Sequence, residues 1–207
     1  MKNAIVEFIG TFFLVFVVLL TGNPIAIGTI LMVMIYMGGH ISGAHYNPAV
    51  TLAVLVRGKI KAGEAMMYMI VQIIGAVVAA VMYYLIYHKT AAPAPDPHFN
   101  ILKPLAIEII FTFALASVVL NSATSKKTAG NSFYGLAIGF TVLAAAFAGG
   151  PISGGAFNPA VGTGPILVDT IIGHGHSINA LWIYLVGPFT GGGVAGLLFN
   201  YLNPDDK

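Results

Sequence analysis

Two copies of one twelve-residue pattern govern what this chain can fold into. Gly39-His40-Ile41-Ser42-Gly43-Ala44-His45-Tyr46-Asn47-Pro48-Ala49-Val50 aligns with Gly150-Pro151-Ile152-Ser153-Gly154-Gly155-Ala156-Phe157-Asn158-Pro159-Ala160-Val161, with eight of twelve pairs identical at an offset of 111. A second echo precedes each copy: Glu7-x-x-x-Thr11-Phe12 and Glu108-x-x-x-Thr112-Phe113. The chain is therefore two related halves, about 1–95 and 104–207, joined through the Pro- and Ala-rich stretch His88–Lys103. That stretch, with Pro93, Pro95 and Pro97, is expected to be a loop on one membrane face.

A membrane is the expected solvent because 57% of the 207 residues are hydrophobic and only 8% are charged. A water-facing surface normally needs about 25% charged residues. Six apolar segments are predicted to span the bilayer: Ala4–Thr21, Pro24–Met37, Ala62–Tyr87, Pro104–Leu120, Ser132–Ala148 and Ile178–Leu202. The first is expected to be a span and not a signal peptide, since it runs to Leu20 without a cleavage-site pattern. Two shorter pieces, Asn47–Val56 and Asn158–Val168, are each roughly 15 Å long as helices, half a bilayer.

Each half holds three spans, so the halves must lie in opposite orientations, an inverted repeat. With the N-terminus inside, Lys2, Arg57, Lys59, Lys61, Lys126, Lys127 and Lys207 fall on the cytoplasmic side, and only Lys89 and Lys103 outside. That asymmetry obeys the positive-inside rule. The net charge of +2 is too small for a nucleic-acid partner, and the absence of cysteine excludes disulfides and thiolate metal sites. No cofactor is expected.

Asn-Pro-Ala is a helix-starting signal. Asn caps the first amides, and Pro suits the first helical position, where its missing N–H loses no partner. Two such half-helices would point positive ends, about half a charge each, at the bilayer centre. The small residues before them leave backbone carbonyls that must face a polar file of permeating molecules.

This arrangement resembles the aquaporin and aquaglyceroporin (major intrinsic protein) family. Tyr68-x-x-x-Gln72-x-x-Gly75 and Trp182-x-Tyr184-x-x-Gly187-Pro188 strengthen the resemblance, which covers almost the whole chain. It implies one all-α channel domain over 1–207: six transmembrane helices plus two re-entrant half-helices in an hourglass pore, assembled as a homotetramer in the cell membrane. It implies that Asn47, Pro48, Ala49, Asn158, Pro159 and Ala160 sit at the pore centre. Carbonyls of Gly43, Ala44, His45, Gly154, Gly155 and Ala156 would form the polar track, and Glu7 and Glu108 would brace the loops.

The chain departs from the family pattern at position 161. Most members carry Arg after the second Asn-Pro-Ala; this chain carries Val161. Matched by distance from the motifs, the outer filter is expected to be Ile27, Ala146, Gly155 and Val161, with no charge, aromatic ring or side-chain donor. Gly162 and the Tyr184-Leu185 pair match neither the glycerol-facilitator nor the water-channel markers. The expected function is a passive channel for water or small uncharged solutes, among them glycerol, urea, ammonia, hydrogen peroxide, metalloid acids and gases. A secondary transporter is the alternative, and it would need a coupling-ion site. An enzyme is not expected, since neither an intramembrane Gly-x-Ser-Gly nor a His-Glu-x-x-His motif is present.

Overall fold

The computed structural model of the protein describes residues 1–206, so the cytoplasmic placement expected of Lys207 lies outside the described residues. Eight α-helices follow one another: α1 (Lys2–Thr21), α2 (Pro24–Ser42), α3 (Pro48–Val56), α4 (Ala62–Tyr87), α5 (Leu102–Val119), α6 (Tyr134–Ser153), α7 (Pro159–Ile171) and α8 (Leu181–Leu202). Six of them are long and apolar enough to cross a membrane, while α3 and α7 are the short pair. Large apolar side chains such as Ile5, Phe140, Phe147 and Leu197 are exposed, as lipid-facing residues are.

Packing repeats between the halves. Helix α1 packs on α2 and α4, as α5 packs on α6 and α8, and α2 meets α6 across the repeat axis. Each short helix crosses into the other half: α3 lies against α8, and α7 against α4. Lipid supplies no hydrophobic drive between helices, so close approach of small residues has to hold them together. At the α2–α6 crossing a side chain on Gly28 would come within 2.6 Å of the Gly139 carbonyl, and one on Gly139 within 2.5 Å of the Gly28 carbonyl.

Three helix ends lie beyond the predicted ones. Helix α2 continues past Met37 to Ser42, and α6 past Ala148 to Ser153, so both serines end helices and do not begin irregular loops. The Gly-Gly pairs at 38–39 and 149–150 do not break these helices, because a membrane segment gains by keeping its backbone bonds internal. Gly43 and Gly154 then terminate them with φ of 87° and 88°, the left-handed conformation glycine adopts without cost. Helix α7 likewise runs to Ile171, not Val168, and α5 and α6 begin at Leu102 and Tyr134, not Pro104 and Ser132.

Candidate functional site: a central cavity between two half-helices

Both Asn-Pro-Ala motifs act as helix starts. Asn47 Oδ1 accepts from the amides of Ala49 (2.8 Å) and Val50 (3.4 Å), and Asn158 Oδ1 accepts from Ala160 (2.9 Å). Asn23 caps α2 ahead of Pro24 in the same way, a third use of Asn-Pro, outside the repeated motif. With each oxygen turned back onto its own helix, each Asn amide is free to donate. Asn47 Nδ2 donates to the Phe157 carbonyl and Asn158 Nδ2 to the Tyr46 carbonyl, both at 2.9 Å. The half-helix starts are thus pinned to one another, and each amide retains a second N–H.

The loops before the motifs are held in an unusual backbone shape. Ala44, Tyr46 and Phe157 adopt φ of 51°, 50° and 48°, where non-glycine residues are strained. Buried carboxylates fix this shape. Glu7 Oε1 accepts from Ser42 Oγ (2.7 Å) and the His45 amide (2.9 Å); its Oε2 accepts from the Tyr46 amide (2.7 Å) and Gln72 Nε2 (2.8 Å). Glu108 repeats the pattern with Ser153 Oγ (2.8 Å) and the amides of Ala156 (3.0 Å) and Phe157 (2.6 Å). Tyr68 and Tyr184 add hydroxyl bonds to the carbonyls of Ser42 (2.9 Å) and Ser153 (2.6 Å). Loop amides are thereby consumed on the wall side. Among the described residues, no donor reaches the carbonyls of Gly43, Ala44, His45, Gly154, Gly155 or Ala156.

A cavity runs between the half-helix starts. Asn47 and Asn158 both line it, together with Ile27, Gly155 and Val161 from the expected filter. A second space, an outer vestibule on the face away from the termini, is lined by Ala146 and shares Ile27 and Gly155 with the cavity, while Val161 lines the cavity alone. A third space opens on the face that carries both termini, and it shares only His45 and Val119 with the central cavity. His45 Nδ1 lies 3.1 Å from Thr51 Oγ1, whose own proton goes to the Asn47 carbonyl at 3.1 Å. The same Thr51 oxygen accepts from Gln72 Nε2 at 3.1 Å, so the imidazole is tied to the brace of the first loop.

Apart from Ile27 and Val161, the aliphatic wall was not expected from the sequence. Leu14 and Val18 of α1 recur as Leu115 and Val119 of α5, and Ile27 and Leu31 of α2 recur as Ile138 and Val142 of α6; all eight line the cavity. Their four-residue spacing and their place in the repeat were the available signals. Also unforeseen is a buried ion pair at the end of α3. Arg57 Nη2 donates to Asp206 Oδ1 (2.9 Å), Nη1 to the Asp206 carbonyl (2.9 Å) and Nε to Thr124 Oγ1 (2.6 Å), with the guanidinium 4.5 Å from the Phe199 ring centre.

The Major intrinsic protein family model matches residues 1–199. The chain belongs to the major intrinsic protein family. It is similar to a probable NIP-type aquaporin of Nicotiana alata, 33% identical, with 100% of this chain and 80% of that protein covered. It is also 35% identical to the probable aquaporin NIP4-2 of Arabidopsis thaliana, covering 100% of this chain and 76% of that one. Among solved structures, the aquaglyceroporin from Plasmodium falciparum superposes with a TM-score of 0.84 at 22% identity, over 96% of this chain and 95% of that one. As a member of the major intrinsic protein family with six apolar spans, the chain is a multi-pass membrane protein and a passive channel for water and small solutes, not an enzyme.

Proposed function

We propose that the channel conducts small uncharged solutes through the central cavity, past an outer ring of Ile27, Ala146, Gly155 and Val161. The observation that carries this reading is the chemistry of that ring. The passage from the outer vestibule to the cavity is bordered by aliphatic groups and a glycine, with no charged side chain. A ring of that kind favours solutes that need few hydrogen bonds replaced as they shed water. Glycerol, urea, ammonia, hydrogen peroxide, undissociated metalloid acids and dissolved gases belong to this class.

In this reading Asn47 and Asn158 present their remaining N–H groups to the solute at the pore centre, and the six free carbonyls accept from it. Glu7 and Glu108 act as loop braces and not as proton carriers, since their oxygens are occupied by loop donors. Cation exclusion rests on the two half-helix dipoles, about half a positive charge each, which point at the middle.

The two halves, about 1–95 and 104–207, form one channel domain, and the protein works as a homotetramer in the cell membrane. Both termini are cytoplasmic, because Lys2, Arg57, Lys59, Lys61, Lys126 and Lys127 would then lie inside. A stopped-flow panel on proteoliposomes, comparing water, glycerol, urea and ammonia, tests the reading. Flux of at least one of the three solutes should exceed that of protein-free vesicles. Proteoliposomes indistinguishable from empty ones for all of them would refute it.

A further inference from the structure

The outer ring has an image at the other end of the cavity. Moved by the repeat offset of 111, Ile27 becomes Ile138, while Ala146, Gly155 and Val161 become Ile35, Ala44 and Val50. All four images line the central cavity, which shares His45, the neighbour of Ala44, and Val119 with the terminal-face vestibule. The exchange is unequal. Where the outer ring has a methyl group at Ala146, the inner has the branched side chain of Ile35. Where the outer has only hydrogen at Gly155, the inner has the methyl of Ala44.

Burial follows that difference. Ile35 and Val50 are 2% exposed, Ile138 5% and Ala44 7%, while Ala146 and Gly155 are only partly buried and open onto the outer vestibule. The inner ring is also stiff. Ile35, Val50 and Ile138 are β-branched and helical, which leaves each one strongly preferred χ1 rotamer.

We propose that Ile35, Ala44, Val50 and Ile138 form an inner selectivity ring, narrower than the outer one, and that this ring sets the size limit on solutes crossing the channel. Resistances along a pore act in series, so the tighter apolar constriction controls which solute passes. His45 lines both the cavity and the terminal-face vestibule, so its imidazole lets compact solutes recover part of their hydration by a hydrogen bond there. Ammonia and hydrogen peroxide fit that description better than glycerol or urea, which must pass the branched side chains broadside.

The inference rests on the pore path and outer ring proposed above, and the test separates the two. Purified full-length protein in proteoliposomes is compared as wild type, Ile35→Val, Ile35→Ala, Ile27→Val and Ile27→Ala, with flux normalised to folded channel. The glycerol-to-water flux ratio should rise in graded fashion from Ile35→Val to Ile35→Ala, several-fold in the latter, and rise less in the matching Ile27 variants. The valine variants keep the comparison usable should either alanine variant fold poorly. A ratio that rises as much for Ile27 as for Ile35 or more, or for neither, overturns the inner ring. Val161→Arg reports on the outer ring alone: if it lowers the ratio while the Ile35 variants do nothing, the outer reading stands and the inner ring falls.

Discussion

Asn47 and Asn158 exchange hydrogen bonds across the repeat axis: the side-chain amide of each donates, at 2.9 Å, to the carbonyl of the residue preceding the other. Neither half-helix is therefore positioned by its own half alone. A change at one Asn must loosen the opposite loop as well as uncap its own helix.

Asn47→Ala is expected to lower stability by about 2 kcal/mol, roughly half from the lost cap and half from the lost crossing bond. Thermal unfolding of the purified protein in detergent checks this. Asn158→Ala should behave alike, and a wild-type melting temperature in both would contradict the reciprocal pinning.

The two braces should differ in sensitivity. Glu7 gathers four donors, including Gln72 Nε2, whereas Glu108 gathers three; Pro188 in α8 stands where the matching motif of α4 has Gln72. A glutamine has one acceptor oxygen and turns its NH2 towards loop amides that also donate. Either Glu→Gln change should cost about 3 kcal/mol, the scale of leaving buried donors without partners. Glu7→Gln should be the more damaging, read as the fraction of monodisperse protein after extraction.

Much of this architecture is legible in the chain itself, for a definite reason. Glu7, Asn47, Glu108 and Asn158 are polar residues in apolar surroundings, and each recurs with the repeat. The pore wall is not legible in that way. Leu14, Val18, Leu115 and Val119 face the cavity, while Ile5, Phe13 and Ile110 face outward, and all are equally apolar. Where the solvent is lipid and the pore wall is aliphatic, polarity no longer separates inside from outside. Arg57 and Asp206 are 149 residues apart, so no local pattern joins them. Helices α2 and α6 outrun Met37 and Ala148 because glycine breaks helices in water more readily than in a bilayer.

The Arg57–Asp206 pair predicts a pH effect. Hydrogen bonds from Ser125 Oγ and the Lys126 amide, together with the Arg57 guanidinium, hold the Asp206 carboxyl below the usual range. A carboxyl lowered in the folded state stabilises above its unfolded value, near 3.9, and loses that contribution as pH falls through the folded value. Wild type should therefore be more heat-stable than Asp206→Asn at pH 6 to 7, an order-of-magnitude window above that value. The two should converge in stronger acid. Parallel melting curves across the whole range would contradict the pair's contribution.

Mercurials should not block the channel, because they act on a thiolate and the chain has no cysteine. Reversible inhibition of purified protein by low concentrations of mercuric chloride would require another ligand in the pore.

The most direct test of the account is the ratio of glycerol or urea flux to water flux in wild type and in Val161→Arg. Val161 is 4% exposed and lines the central cavity, so an arginine there would narrow the passage and introduce fixed charge and donors that valine lacks. The account predicts that Val161→Arg lowers the ratio in well-folded protein and reduces any proton leak with it. An unchanged ratio with unchanged water flux would mean that position 161 does not face the conducting path, and that Ile27, Ala146, Gly155 and Val161 are not its outer ring.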